Sequence, residues 1–137
     1  MKRLKFKIME NCIFCKIIAG EISAEKIYED DKVLAFLDIN PVTYGHALVI
    51  PKTHYAIMTD TPDELLSYCY LKSKELMLKI KAGMKADYVS VSVVGLDVPH
   101  FHIHLIPRNF NDGLANFWPT KKYSEGEMEK TAEKIIS

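Results

Sequence analysis

The chain has 137 residues, with 18 basic and 18 acidic side chains and a formal net charge of zero. This length suits one domain with a sizeable core, and a content of 48% hydrophobic and 26% charged residues is ordinary for a globular protein. The balanced charge argues against a protein held mainly by nucleic-acid phosphates, and the apolar runs are too short to span a bilayer. We therefore expect a single domain over 1–137, with no nucleic-acid and no membrane partner.

The first residues, "MKRLKFKIMENCIF", contain basic side chains but neither an apolar segment nor a small-residue cleavage site, so we expect no signal peptide. Residues 1–9 are expected to form a flexible extension. Three cysteines without a secretory signal indicate a reducing compartment, and a cytoplasmic location is the expectation. Cys12 and Cys15 are then better explained as metal ligands or redox thiols than as a disulfide.

Five strands are predicted from hydrophobic runs bounded by turn residues. The first two, 26–29 and 32–38, turn at a pair of aspartates, and the third, 45–52, ends close to a proline. Alternating serine and valine predict a half-buried strand over 88–94, and 98–107 forms the last strand.

The clearest helix is predicted over 61–83. Thr61 is expected to be its N-cap, Glu64 completes a capping box, and Gly83 ends it. Cys69 lies on its apolar face and is expected in the core. The order β-β-β-α-β-β, with helical pieces at both ends, predicts an α+β domain with a largely antiparallel sheet and one long helix.

The C-terminal segment 109–137 is expected to form a tail with a last helix, capped by Ser124 with Glu127 three residues on. Trp118 and Tyr123 either belong to the core or reach towards the active site of a neighbouring subunit. The sequence slightly favours the second alternative.

The stretch "HFHIHLIPR", 100–108, places His100, His102 and His104 at alternate positions. On a strand these side chains share one face, and the apolar residues between them face the core. A lone histidine is usually structural. Three at strict alternation, from a total of five, favour a functional role.

Two uses of these imidazoles are open from the residues alone. Neighbours at i and i+2 on a strand lie about 6–7 Å apart, so one tetrahedral metal cannot readily bind all three. An imidazole can instead attack phosphorus and form a covalent phosphoryl-histidine, while its neighbours stabilise the developing charge. Cys12 and Cys15 have the spacing of half a zinc site, and any zinc would complete its shell from histidines.

The chain has no glycine-rich phosphate-binding motif of the GxxxxGK[ST] or GxGxxG type. Asp38 ends an apolar strand in "LDIN". It either caps the following turn or accepts hydrogen bonds from the vicinal hydroxyls of a sugar.

The motif "HFHIHLI" matches the His-φ-His-φ-His-φ-φ signature of the histidine-triad (HIT) nucleotide-binding proteins, where φ is apolar. The segment 12–55, from "CIFC" to "PKTHY", resembles the Hint-like branch almost element by element, and the resemblance covers about residues 10–108. It implies a HIT-like α+β fold that forms a homodimer with one continuous sheet. It also implies a purine nucleotide substrate that is attacked at its α-phosphorus.

The resemblance implies a role for each matching residue. His102 would be the nucleophile, His104 would contact the phosphate, and His46 would complete the catalytic cluster. Asp38 would bind the ribose hydroxyls. The positions that enclose the base are Ile13, Phe14, Ile17, Phe36, Ile39 and Leu48.

The CxxC pair resembles a zinc subtype of the family, which implies a structural Zn²⁺ held by Cys12, Cys15, His54 and His100. A closed shell of four protein ligands leaves no open position for a water or substrate. In this interpretation His100 holds the metal and His102 carries out the chemistry.

One departure from the family pattern lies just before the triad. Leu96 stands where many relatives have glutamine, and Asp97 stands where they have a hydroxyl residue. Leu96 cannot orient a phosphate, and an ionised Asp97 repels one unless it points away.

The leading interpretation is a phosphoramidase-like hydrolase or transferase that forms a nucleotidyl-histidine. The alternatives are a dinucleoside polyphosphate hydrolase and a zinc-stabilised nucleotide-binding or scaffold protein with little catalysis.

Overall fold

The structure is a computed structural model that describes residues 9–137. The flexible extension expected over 1–9 lies outside the described residues apart from Met9. Between residues 9 and 137, no helix combines the length and apolarity needed to cross a membrane. In chain order the elements are α1 Ile13–Ile18, β1 Lys26–Glu29, β2 Val33–Leu37, β3 Ala47–Pro51, a 3₁₀ turn at Met58–Asp60, α2 Asp63–Met84, β4 Tyr88–Ser92, β5 Ile103–Arg108 and α3 Glu127–Ile136.

The five strands form one sheet in the order β1-β2-β3-β5-β4. Every neighbouring pair is antiparallel. The α+β class, the antiparallel sheet and the single long helix predicted from the sequence are therefore confirmed.

Each face of the sheet is covered by a different helix. α2 packs on one face, and the core there includes Cys69, which is fully buried as predicted. α1 packs on the other face, against β2 and β3. The core on the α2 face comprises Val33, Ala35, Ala47, Val49, Cys69, Leu76, Ile80, Phe101, Ile103 and Leu105, and that on the α1 face comprises Cys12, Phe14, Cys15, Ile17, Leu34, Phe36, Leu48 and Ile50.

A row of cross-strand partners connects the apolar α1 face to the histidine motif. Phe36 on β2 pairs with Leu48 on β3, and Leu48 pairs with His104 on β5. Directly opposite residues of antiparallel strands lie on the same face of the sheet. The register therefore places His104 on the α1 face, beside the side chains expected to enclose a base.

The predicted start of the long helix is wrong. α2 begins at Asp63, and Pro62 occupies the N-cap position without a side-chain cap. The hydroxyl of Thr61 donates instead to the carbonyl of Ile57, at 3.1 Å. This bond spans the turn at Met58–Asp60 and competes with helix capping. A capping-box pattern in the sequence does not reveal it.

Two other predicted helix boundaries are also wrong, the C-terminus of α2 and the N-terminus of α3. Gly83 stays inside α2, and the chain turns at Lys85, which has a left-handed backbone with φ 52°. Ala86 follows and is buried, so the chain turns from the helix into β4 at this point. At α3, Gly126 takes the N-cap position and the Ser124 side chain makes no cap bond.

The last strand starts five residues later than predicted, at Ile103 instead of residue 98. Pro99 has no N–H to donate to a strand ladder. The N–H of His100 donates to the carbonyl of Val98 at 2.8 Å, which closes a tight turn. The residues before Ile103 thus leave the ladder, whereas the other four strands agree with prediction to within two residues.

The tail after β5 is fastened by a buried arginine. Arg108 pairs with Asp112 and donates to the carbonyls of Leu114 and Ala115. Trp118 and Tyr123, further along the tail, are exposed on this chain, so the alternative that places them in the core is wrong. That they reach towards a neighbouring active site stays a prediction.

Candidate active site and metal-binding cluster

The CxxC pair forms the first turn of α1. Cys12 occupies the N-cap, and its Sγ accepts the backbone N–H of Cys15 at 3.4 Å. His54 lies just after β3, and His100 lies just before β5. The structure brings all four predicted metal ligands together, with one ligand atom from each lying within 4.8 Å of the others.

The distances in this cluster fit a tetrahedral zinc. The Nδ1 atom of His100 lies 3.3 Å from Cys12 Sγ and 3.6 Å from Cys15 Sγ. The Nδ1 atom of His54 lies 3.3 Å from Cys15 Sγ and 3.2 Å from Nδ1 of His100. Zinc–sulfur and zinc–nitrogen bonds of normal length give tetrahedral edges of about 3.3–3.8 Å. The donors therefore fit zinc in both type and spacing.

The surroundings of His100 determine its tautomer and keep its ring neutral, as a metal ligand requires. Its Nε2–H donates to the carbonyl of Pro51 at 2.8 Å, which leaves the Nδ1 lone pair facing the thiols. Burial lowers the pKa of His100 to about 4 and raises that of the Cys15 thiol to about 11. A metal ion that binds here finds the imidazole already neutral and displaces a proton from the thiol.

The two ring nitrogens of His102 have different surroundings. Its Nδ1–H donates to the carbonyl of His100 at 2.7 Å, so the neutral ring carries its lone pair on Nε2. That Nε2 atom is buried without a hydrogen-bond partner among residues 9–137. A buried, unpartnered imidazole nitrogen of this kind is suited to nucleophilic attack.

His104 is oriented by His46. The Nε2 atom of His46 lies 2.9 Å from Nδ1 of His104, and Nδ1 of His46 accepts the N–H of Val42 at 3.1 Å. His46 must therefore donate to His104, which places the proton of His104 on its unpartnered Nε2. Burial lowers the pKa of both rings, so both are neutral near pH 7.

An apolar cleft of about 260 Å³ opens beside the triad on the α1 face. The ring of Phe14, which lines it, lies 5.1 Å from the ring of His102. All seven predicted nucleotide-binding residues line the cleft, namely Ile13, Phe14, Ile17, Phe36, Asp38, Ile39 and Leu48. The sequence interpretation missed Ile22, Ser23, Ala24, Leu37, Asn40 and Val98, most of which lie in loops without a periodic pattern.

Asp38 follows the last residue of β2 at the rim of this cleft. Its Oδ1 accepts the N–H of Asn40 at 2.9 Å, so it caps the turn as one sequence alternative required. Its Oδ2 lies 3.7 Å from Nε2 of His46. The side chain is partly exposed, and a carboxylate oxygen is available to a ligand in the cleft.

Asp97 lies directly in front of the candidate nucleophile. Its Oδ1 is 3.2 Å from Nε2 of His102, which makes an ion pair when the ring is protonated and places two lone pairs against each other when the ring is neutral. Burial acts to raise the pKa of the Asp97 carboxyl, but the positive charge of a protonated His102 ring and backbone donors outweigh it and lower the pKa overall. Leu96 is 88% exposed and does not line the cleft. The direction in which the Asp97 side chain points could not be predicted from the sequence.

Comparison with known proteins places the chain in a family. A family model described as the HIT domain matches residues 19–111. The chain is 36% identical to adenosine 5′-monophosphoramidase HNT1 of Saccharomyces cerevisiae over 132 residues, covering 92% of this chain and 81% of that protein. It is 34% identical to adenylylsulfatase HINT3 of Arabidopsis thaliana over 135 residues, covering 95% of this chain and 68% of that protein.

Solved structures show the same fold. SMU.412c from Streptococcus mutans UA159 superposes with a TM-score of 0.85 at 32% identity, covering 93% of this chain and 85% of the other. A Zn-bound histidine triad family protein from Mycobacterium smegmatis superposes with a TM-score of 0.74 at 32% identity, covering 92% and 95%. With the family match spanning most of its length, the chain belongs to the HIT family and is similar to Hint-like members of it.

Proposed function

We propose that this protein hydrolyses purine nucleoside monophosphate derivatives of the phosphoramidate type through a nucleotidyl-His102 intermediate. The observation that carries the proposal is the buried Nε2 of His102, which lies beside an apolar cleft and has no hydrogen-bond partner among residues 9–137. Asp38 at the rim of this cleft supplies an acceptor for ribose hydroxyls. The apolar lining suits a purine base.

In the first step Nε2 of His102 attacks the α-phosphorus. The new phosphorus–nitrogen bond forms as the bond to the amine breaks, and the amine leaves with a proton drawn from solvent. Positive charge develops on the His102 ring, and the carbonyl of His100 that accepts its Nδ1–H stabilises this charge. The Nε2–H of His104 donates to a non-bridging phosphate oxygen.

In the second step water attacks the same phosphorus and breaks its bond to His102. The nucleoside monophosphate is released, a water proton passes to solvent, and the ring returns to its starting state. His46 keeps the proton of His104 on the side of the substrate throughout, because its own Nε2–H occupies Nδ1 of His104.

The names of two relatives support this reaction class. One is called an adenosine 5′-monophosphoramidase and the other an adenylylsulfatase. Both names describe proteins that act on an adenylyl group carrying a leaving group at its phosphate. For this chain we propose the phosphoramidate as substrate and the nucleoside monophosphate as product.

We also propose that the cluster of Cys12, Cys15, His54 and His100 binds a structural Zn²⁺. The donor types and their spacing support this, as does the similarity to a Zn-bound relative. Because four protein side chains fill a tetrahedral shell, such a metal stabilises the segment around the site and takes no part in the reaction.

A homodimer with a continuous sheet is proposed as well. Among residues 9–137, β4 is an edge strand that pairs with β5 alone, and Val91 at its centre is exposed. An edge strand of this kind offers unpaired backbone groups to a second copy. Light scattering on the purified protein tests this proposal, since a dimer has twice the 15.7 kDa mass of one chain.

The proposed activity is tested with a fluorogenic adenosine phosphoramidate, using the wild type and His102→Ala in parallel. We expect the variant to bind AMP with nearly unchanged affinity and to lose turnover by at least about 10³-fold, because it lacks the nucleophile. Equal turnover of both proteins would overturn the mechanism. A parallel assay with a diadenosine polyphosphate separates the phosphoramidase from the polyphosphate alternative.

A further inference from the structure

Asp97 stands where an incoming phosphate must be placed. In-line attack requires the phosphorus to approach Nε2 of His102 to about 3–3.5 Å, and the Asp97 carboxylate lies 3.2 Å from that atom. The Asp97 side chain is 60% exposed, so it can rotate aside when substrate binds. Asp97 and its neighbour Val98 both line the cleft. The carboxylate therefore remains close to the reacting phosphate and to the leaving group after this rotation.

The charges around this point are unevenly distributed. The residues that line the cleft include two carboxylates, Asp38 and Asp97, but no lysine or arginine among those the structure describes. On the histidine side of the cleft, the rings of His102 and His104 lie 4.9 Å apart, so the Nε2–H of His104 and the nucleophile itself are next to this position. An anionic leaving group would meet a carboxylate here with no neighbouring cation to offset it.

We propose that Asp97 selects the leaving group by its charge, favouring nucleoside phosphoramidates of amines that carry a second, cationic group over those of anionic amines. This inference rests on the proposed function and deepens it by naming the substrate class. Both reactions are the same displacement, in which the bond from phosphorus to the amine breaks and the bond to His102 forms. Only the charge beyond the departing nitrogen differs.

Coulomb's law sets the size of the effect. A unit charge about 6 Å from a partly exposed carboxylate changes the rate by about tenfold, with opposite signs for a cation and an anion. The ratio of kcat/KM between a cationic and an anionic leaving group is therefore expected to reach about 100-fold. Added salt should reduce this ratio, because the carboxylate is open to solvent.

The experiment uses three AMP amides of similar length, made from putrescine, pentylamine and γ-aminobutyrate. They end in an ammonium, a methyl group and a carboxylate, and the neutral amide is the internal reference. Each is assayed with the wild type, Asp97→Asn and the control Asp31→Asn. Asp31 is exposed in the turn before β2, at the opposite end of that strand from Asp38.

We expect the wild type and Asp31→Asn to prefer putrescine over pentylamine over γ-aminobutyrate, and Asp97→Asn to accept all three within about threefold. A wild type without this order, or an order that survives in Asp97→Asn, would overturn the inference while leaving the proposed function intact. If none of the amides is turned over in a His102-dependent manner, the proposed function fails and the inference fails with it.

Discussion

Nε2 of His46 and Nδ1 of His104 lie 2.9 Å apart on neighbouring strands, and the backbone N–H of Val42 holds the other nitrogen of His46. This arrangement determines the position of both protons. His46 donates to His104, and His104 presents its own Nε2–H to the phosphate position. His46 therefore acts on the substrate through His104 and is a positioning residue.

Replacing His46 tests this relationship. In His46→Asn we expect kcat to fall about tenfold with little change in KM, because His104 becomes free to take the tautomer that has no proton on Nε2. Steady-state kinetics on an AMP amide provide the measurement, with thermal denaturation to verify that the variant is folded. A folded variant with unchanged kcat would contradict the assignment.

The buried histidines also predict how stability depends on pH. Burial lowers the pKa of His46 and His104 from the ordinary 6.5, although the Asp38 carboxylate partly opposes this at His46. Below 6.5 the unfolded chain therefore binds protons that the folded chain does not, and stability falls as the pH decreases. Thermal denaturation between about pH 7.5 and pH 5 should show a falling Tm.

The variant His46→Gln is the control for this dependence, and its Tm should fall less steeply over the same range. Asp30 and Asp112 have carboxyl pKa values held well below 3.8 by hydrogen bonds, which at Asp30 outweigh an opposing burial effect. The stability that these two carboxyls contribute is lost only at lower pH. A Tm that stays constant from pH 7.5 to 5 would rule out the buried neutral histidines.

Metal analysis tests the cysteine–histidine cluster. After extensive dialysis we expect about one zinc per chain, and Cys12→Ser should lose the metal together with about 3 kcal/mol or more of the free energy of unfolding. Cys69→Ala is the matched control, because Cys69 is buried on α2 away from the cluster and its replacement should leave the metal content unchanged. A metal-free wild type of undiminished stability would contradict the zinc proposal.

Asp38 should distinguish ribose from deoxyribose. Hydrogen bonds to a charged acceptor contribute about 1.5–3 kcal/mol, so the wild type should bind AMP at least about tenfold more tightly than 2′-deoxy-AMP. In Asp38→Asn this preference should largely disappear. Isothermal titration calorimetry with both nucleotides checks it, and equal preference in the two proteins would remove Asp38 from the ribose site.

Much of the fold could be predicted from local patterns. The strands were located by alternation and by turn residues, and the long helix by its apolar periodicity. The errors concern its ends, where Thr61 bonds to Ile57 and where Lys85, not a glycine, adopts the left-handed backbone. Both features are local, since the Thr61 bond spans four residues and the turn at Lys85 is closed on Lys81 and Ala82, but apolar periodicity and capping patterns do not distinguish them from the predicted ends.

The site, like the fold, could be predicted in part. The alternation of the triad and the family resemblance identified the residues that the structure brings together around His102 and the cysteines. The turn at Pro99 and His100, which separates the metal-facing histidine from the strand, was not predictable from alternation. The approach of Asp97 to His102 was equally hidden, since a loop side chain is oriented by the whole fold.

The central claim is that His102 becomes covalently nucleotidylated during turnover, and acid-free rapid quenching followed by mass spectrometry tests it most directly. With an AMP amide as substrate, the wild type should gain one adenylyl group, and peptide mapping should place it on His102 within residues 100–108. His102→Ala should gain none. A wild type that turns over the amide without any adenylyl adduct, or with the adduct on another residue, would contradict the account.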